Sequence, residues 1–315
     1  MSISPKQPLT RHALNGPTMG TRWSALFFAE AGFDTTAVQR ALQNAVDAVD
    51  SQMSTWNPRS DLMQFNAAPI KVWVELPRQL IEVIKLGLEI GHTSGGAFDI
   101  GMGDAVTAWG FGPAPADQRH VHAALTTARK PAHEVLEIKG QQVRKSAPLT
   151  LDLNGIAKGY GVDCLAETLI THGYTAGLVG IDGEMRALGL HPDGHPWTLA
   201  VESPETGRRT PHSILTLQDA AVATSGDYRH WVEVQGRRLS HTMDPHKGGP
   251  LTTAPASVTV VAQRCAVADA WATALMVLGP DQGARLAQQQ GLDALILQRD
   301  STGHLKEIPV GQLFS

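Results

Sequence analysis

Ala266–Leu278 reads AVADAWATALMVL, and Gly279-Pro280 end it. Val267, Ala270, Trp271, Ala274, Leu275 and Leu278 recur at helical spacing and form one apolar stripe. Ala268, Met276 and Val277 make the remaining faces largely apolar. A helix that is apolar all round belongs inside a protein. Its one charged residue is Asp269, and its one hydroxyl, Thr273, follows a turn later. Four residues apart, they share the face opposite the stripe. A buried carboxylate is costly unless it is paired or metal-bound. A carboxylate beside a hydroxyl is a hard-oxygen pair that suits magnesium with a phosphate ligand. Taken alone, pairing with an Arg or capping a neighbouring helix explains Asp269 equally well.

Around this helix the chain alternates helices with hairpins. Thr21–Phe28 reads as a strand, and Asp34 or Thr35 caps a helix with Val38, Leu42, Val46, Val49 and Met53 on one face. A loop, Ser54–Asn66, precedes an alternating strand over Ile70–Leu76, and Pro77 opens a second helix that runs to Ile90. Residues 91–117 are rich in Gly and Ala; Gly101-Met102-Gly103 lacks the third glycine and the preceding strand of a dinucleotide fingerprint. Two short strands over 133–153 lead into a helix from about Gly155 to His172, closed by Gly173. Asp182-Gly183 between Ala176–Ile181 and Glu184–Leu188 is a strong hairpin signal. Trp197–Val201, Ile214–Leu217, Trp231–Val234, Arg237–Ser240, Ser257–Ala262 and Ala294–Gln298 are further strands, with a turn at Gln235-Gly236 and a last helix near Asp281–Gln290. This mixture has no βαβ rhythm, no repeat and no linker. It predicts a single α+β domain over 1–315 with largely antiparallel sheets and packed helices, preceded by a short extension, 1–16.

Composition narrows the function. The chain has 315 residues, 42% hydrophobic and 18% charged, which is a soluble globular balance. A net charge of −4 gives no basic footprint for nucleic acid, and 5% aromatics give no stacking platform. Two distant cysteines, Cys164 and Cys265, make neither a zinc site nor a disulfide framework and read as core. No apolar run approaches the roughly 20 residues of a membrane span. The first twenty residues lack a signal peptide's apolar core. As given, the chain reads as cytoplasmic; a mature form whose export signal has been removed would be periplasmic.

Several polar segments suit phosphate chemistry. LDLNGIAKGYG, 151–161, puts Asp152 at a strand end and Lys158 in the first turns of a helix. Helix N-termini favour phosphate, and a Lys there adds charge, although the P-loop order is absent. SHTMDP, 240–245, places His241 and Asp244 between a strand and a loop, and His is the usual base near neutral pH. A loop His is more often a surface residue, and this chain has 13 histidines. Ala223–Arg229 reads as a polar turn whose Ser, Thr and Arg suit phosphate oxygens. Gly95–Asp99 and Thr18–Thr21 are small-residue turns fit to wall a flat aromatic ligand, or ordinary loops.

In this order, these segments resemble the ApbE family, the FAD:protein FMN transferases. The matching stretches are PTMGT at 17–21, MSTW at 53–56, GGAFDI at 95–100, LDLNGIAKGYGVD at 151–163, GIDGEMRALG at 180–189, ATSGDYR at 223–229, SHTMDP at 240–245 and VADAWATALMVLG at 267–279. The resemblance implies an ApbE-like fold with a cleft between two packed lobes. It implies Mg²⁺-dependent transfer of FMN from FAD, through its phosphate, to a Thr or Ser hydroxyl of an acceptor flavoprotein, such as a subunit of a redox-driven ion pump or a reductase, with release of AMP. By motif position it makes Asp269 and Thr273 metal ligands, supplemented by backbone oxygens at Gly155 and Ala272. It makes Met19, Trp56, Ala97, Phe98, Asp99, Asp152, Lys158 and Met243 flavin- or nucleotide-binding residues, and His241 the base toward the acceptor hydroxyl.

The sequence also departs from the family. Trp56 stands where many relatives have Tyr, and Met243 replaces a more usual Ile. Asn154 and Gly161 stand where Gly and Ala are common. There is no lipobox cysteine near the start and no Asp/Ser-Gly-Ala-Ser/Thr acceptor sequence. One rival, a metal-dependent FAD pyrophosphatase giving FMN and AMP, uses the same ligands. Against the other, a non-catalytic FAD-binding protein, stand the intact Asp269/Thr273 pair and His241, since a pure binder has no need of a metal beside the pyrophosphate.

Overall fold

The computed structural model describes residues 9–205, 210–227, 231–234, 237–300 and 302–314. Leu9–Thr18 (β1) and Thr21–Glu30 (β2) pair along their whole length, Leu9 opposite Glu30 and Thr18 opposite Thr21. Residues 9–16, expected in an N-terminal extension, are therefore the edge strand of the main sheet. Asn15, Gly16 and Pro17 hide a strand whose register is imposed by β2. Thr36–Met53 (α1) starts at the N-cap Thr35, which makes no side-chain capping bond, while Asp34 Oδ1 just before it accepts from Thr36 N at 2.9 Å; the helix buries Val38, Leu42, Val46, Val49 and Met53.

The segment 54–150 carries five helices and three short strands. Asp61–Ala67 (α2) lies inside the expected loop; Ser60 Oγ caps it by accepting from Met63 N at 3.1 Å. The expected strand over 70–76 shrinks to Val74–Glu75 (β3). Arg78–Thr93 (α3), Gly103–Ala108 (α4), Gln118–Thr126 (α5) and Ala132–Val135 (α6) follow. Leu136–Lys139 (β4) and Gln142–Lys145 (β5) join β3 in a small sheet of order β3-β5-β4.

Ala157–Thr171 (α7) leads to the hairpin Gly177–Ile181 (β6) and Glu184–Leu188 (β7), turned by Asp182 and Gly183 at positive φ. Trp197–Glu202 (β8) and Pro211–Leu217 (β9) form a second hairpin. Ala221–Gly226 (β10) is a strand between β7 and β15, not the polar turn expected over 223–229. Small side chains make this segment look like a turn, and only its two neighbours reveal it. Tyr228, Arg229 and the Gln235-Gly236 turn lie outside the described residues. Trp231–Val234 (β11) pairs with Arg237–Ser240 (β12), and Met243–Asp244 (β13) with Gly249–Pro250 (β14). Ser257–Ala262 (β15), Cys265–Gln289 (α8), Asp293–Arg299 (β16) and Leu305–Val310 (β17) follow. β17 lies beyond the last strand read from sequence.

The main sheet has the order β1-β2-β6-β7-β10-β15-β16-β17. Strand pairing is antiparallel throughout the described residues. Helices pack against this sheet, the α+β architecture expected. Successive strand residues face opposite sides: Val258, Val260, Ala294 and Ile296 meet α8, whereas Val261, Leu295 and Leu297 pack with Trp197 and Leu215 of the β8–β9 hairpin. α8 breaks at Gly279, whose φ of 73° few residues but glycine adopt, and Pro280 restarts it. Among the described residues no helix is long and apolar enough to cross a membrane.

Candidate active site

α7 and α8 cross so closely that a Cβ on Gly159 would stand 2.5 Å from Cys265 O. That approach lets Asp269 Oδ2 accept a hydrogen bond from Gly159 N at 3.0 Å. Asp163, also on α7, caps α8 from outside: its two carboxylate oxygens accept from Cys265 N at 2.9 Å and Ala266 N at 3.1 Å. Arg186 pairs with it at 3.0 Å. The first turn of α8 is thereby fixed, and with it the direction of Asp269 and Thr273. Asp269 is 5% exposed, and burial raises its carboxyl above the usual range against the pull of Lys158 and Gly159 N–H.

These groups open into a cavity of about 890 Å³. Of the residues singled out from sequence, Met19, Trp56, Ala97, Phe98, Asp99, Asp152, Gly155, Lys158, His241, Met243, Asp269 and Thr273 all line it. Ala272 is fully buried in α8 and is not among the lining residues. Met19 (φ 45°) and Gly20 (φ 71°) form the turn between β1 and β2. Trp56 is 63% exposed at the end of a loop pinned by Ser60, whose Oγ donates to Ser54 O at 2.7 Å.

Two expected ligand carboxylates already have work within the fold. Asp99 Oδ1 accepts from Gly101 N at 2.8 Å and Ala132 N at 3.1 Å. Asp152 accepts from Asn154 N at 2.9 Å and Asn154 Nδ2 at 3.0 Å. Burial pushes the Asp152 carboxyl up to about 6, opposed by the Asn154 N–H. Asp244, read beside His241, accepts from His246 N at 3.0 Å and pairs with Lys247.

Sequence reasoning gave no site role to Glu184 or Asp182, which also line the cavity, as does Ser225, the Ser read as suited to phosphate oxygens. Glu184 Oε1 lies 2.8 Å and Asp182 Oδ2 3.4 Å from Lys158 Nζ. Burial pushes Glu184 up to about 7, with Lys158 pulling it down and Asp269 pushing it up. Burial also opposes the charge on Lys158, but Glu184, Asp269 and Asp182 outweigh it and hold the ammonium above its ordinary range. Ser225 Oγ lies 3.2 Å from Thr273 Oγ1. The signal for Glu184 was present: a carboxylate starting a strand directly after a hairpin turn.

The donor chemistry can be tested against a hard cation. Among the described residues no three His, Cys, Asp or Glu side chains are placed to hold a metal ion. Any cation here needs neutral oxygens besides a carboxylate. Gly155 supplies the opening, since a Cβ there would stand 3.1 Å from Thr273 Oγ1 and 3.2 Å from the Phe98 ring. Its bare backbone beside a hydroxyl and the Asp269 carboxylate fits an oxygen-ligated Mg²⁺.

The ApbE family model matches residues 19–296. A FAD:protein FMN transferase of Vibrio cholerae serotype O1 is 35% identical, over 95% of this chain and 90% of the relative. The protein of the same name from Escherichia coli strain K12 is 31% identical, over 93% of this chain and 87% of the relative. Among solved structures, the flavin transferase ApbE from Vibrio cholerae matches with a TM-score of 0.85 at 34% identity, covering 96% of this chain and 98% of that one. The apo form of Pseudomonas stutzeri flavinyl transferase ApbE matches with a TM-score of 0.85 at 33% identity, covering 99% of both chains.

Proposed function

The chain belongs to the ApbE family, and on that footing we propose that it transfers FMN from FAD to a Thr or Ser hydroxyl of an acceptor flavoprotein. The observation that carries this reading is the convergence of Asp269, Thr273, Lys158 and His241 in one cavity large enough for a dinucleotide. Asp269 and Thr273, with backbone oxygens at Gly155 and Ala272, would hold Mg²⁺. When bound, the ion would neutralise charge on the phosphate oxygens during transfer.

The chain's own residues do the rest. Met19, Trp56, Ala97, Phe98 and Met243 offer an apolar surface for the flavin ring. Lys158 faces the pyrophosphate with a fixed positive charge. A protein hydroxyl is a weak nucleophile, and His241 takes its proton. The hydroxyl oxygen then bonds to the FMN phosphorus as the bond to the AMP oxygen breaks, and AMP leaves with that electron pair. Positioning and electrostatics supply most of the acceleration in such transfers.

The test is to incubate the protein with FAD, Mg²⁺ and a small domain bearing an Asp-Gly-Ala-Thr type sequence, then read the domain's intact mass. An added FMN phosphoester that disappears when Mg²⁺ is chelated is expected. Free FMN and AMP with no added mass would replace the transferase by a pyrophosphatase. His241→Ala should slow transfer about a hundredfold with the FAD Kd within about twofold of wild type. Lost FAD binding would make His241 a ligand contact instead.

A further inference from the structure

Lys158 enters the cavity already neutralised. Its ammonium donates to Glu184 Oε1 at 2.8 Å and lies 3.4 Å from Asp182 Oδ2. The hairpin turn at Asp182-Gly183, with φ of 52° and 108°, delivers both carboxylates to this one cation. Glu184 is 4% exposed, and its buried Oε2 has no hydrogen-bond partner among the described residues. Both carboxylates and Lys158 line the cavity. A phosphate-binding Lys gains nothing in affinity from such company, because the carboxylates repel the same anion that the ammonium attracts.

We propose that Glu184 is a positioning residue that fixes the Lys158 ammonium at one point in the cavity and weakens ground-state binding of the FAD pyrophosphate as it does so. This rests on the function proposed above. A Lys ammonium is a point charge on a flexible four-carbon stem. Left free, it follows the pyrophosphate and stabilises bound FAD and the transition state alike, which lowers Kd without raising kcat. Held by a buried carboxylate, it is aimed before the substrate arrives and needs no reorganisation when charge develops.

Two variants separate charge from contact. Glu184→Gln keeps the shape and loses the charge. Glu184→Asp keeps the charge, but its shorter side chain cannot span the contact to Lys158. FAD affinity is read by fluorescence titration in EDTA, and kcat by FMN transfer with Mg²⁺. Glu184→Gln is expected to tighten FAD binding about fivefold, the effect of removing one nearby charge at intermediate dielectric, while kcat falls about tenfold. Glu184→Asp is expected to leave the Kd within about twofold and lower kcat about tenfold. In a Lys158→Ala background, Glu184→Gln should no longer change kcat, because the group it positions is gone.

A structural brace behaves oppositely: Glu184→Gln would then loosen FAD binding, and that result overturns the proposal. So does Glu184→Asp with wild-type kcat. FAD binding in EDTA needs neither the acceptor nor the metal. A wild-type protein that binds FAD yet modifies no acceptor therefore sinks the transferase reading, whereas Glu184→Gln binding FAD no tighter sinks this one.

Discussion

Asp269, Thr273, Lys158 and Glu184 reach the cavity from α7, α8 and β7, while Trp56, Ala97, Phe98, Phe111 and Met243 reach it from loops and a two-residue strand. The contrast is one of backbone, not of burial: Ala97, Phe98 and Met243 are 2%, 5% and 7% exposed, as buried as Asp269 at 5% and Glu184 at 4%, and only Trp56, at 63%, stands out. A charge in a low-dielectric interior has to be satisfied by fixed dipoles and partners, which regular elements provide. Gly159 N–H on Asp269 and the Glu184–Lys158 pair are such partners. A flat ring asks only for apolar area, which a loop can present and adjust. The charged half of the site is thus built on regular elements and the apolar half on loops, of which Trp56 alone stands outside the core.

The largest expected effect follows directly. Asp269→Ala should lower Mg²⁺-dependent FMN transfer by about a thousandfold, because the cation loses its one charged helix ligand. The acceptor mass assay checks this, and unchanged activity would remove the metal assignment. If the charged half belongs to the fold, the same variant should also unfold at lower urea, since Gly159 N–H loses its acceptor inside the protein. A protein as stable as wild type would break the comparison.

Gly159→Ala tests the same half through packing alone. The added methyl would stand 2.5 Å from a backbone carbonyl, which cannot rotate away. α7 and α8 must then separate. Overpacking of this kind costs about 1–3 kcal/mol, and urea denaturation measures it. Transfer should fall in parallel, because Lys158 and Asp269 sit on the two helices being forced apart.

The same contrast governs what the sequence disclosed. The face Val38, Leu42, Val46, Val49 and Met53 of α1 was legible because helical periodicity and burial coincide there. Asp269 was legible because one charge in an apolar helix is an anomaly with few explanations. β10 was not: Ala223, Thr224 and Ser225 carry no strand pattern, and pairing with β7 and β15 decides their conformation. α2 was hidden because its seven residues bury only Leu62 and Phe65, too few to show a period. Asp163 was hidden because its partner, the start of α8, is far away in sequence, and Glu184, though marked by its place after a hairpin turn, gains its role only from Lys158 on α7. The apolar lining was legible only as a set of motifs in the family's order, since one Trp or Met in a loop carries no physical signature.

Trp56→Ala probes the one exposed member of the loop-borne half. A side chain 63% exposed contributes little to the fold, so stability should change by less than about 0.5 kcal/mol. FAD Kd should rise about fivefold, the scale of one lost aromatic contact. Fluorescence titration and urea denaturation of the same preparation separate the two readings. A large loss of stability would show that the loop is part of the fold after all.

Asp152 crosses the divide, and its expected effect is the smallest. It is a charged group held by a loop, with Asn154 as its hydrogen-bond partner. Burial therefore prevails and its carboxyl rises from 3.8 to about 6. With the folded value above the unfolded one, the folded state binds the proton more tightly. The stabilisation is complete below about pH 4, is lost as pH rises toward 6, and stays lost above that. Asp152→Asn removes this slope. It should be more stable than wild type by about 1 kcal/mol at pH 7.5 and show no gain at pH 4, after allowance for solvent reaching a half-buried group. Urea midpoints at the two pH values decide it. Parallel behaviour of the two proteins would mean that Asn154 offsets the burial of this carboxylate in full, which Gly159 and Lys158 do not do for Asp269, whose carboxyl burial also raises.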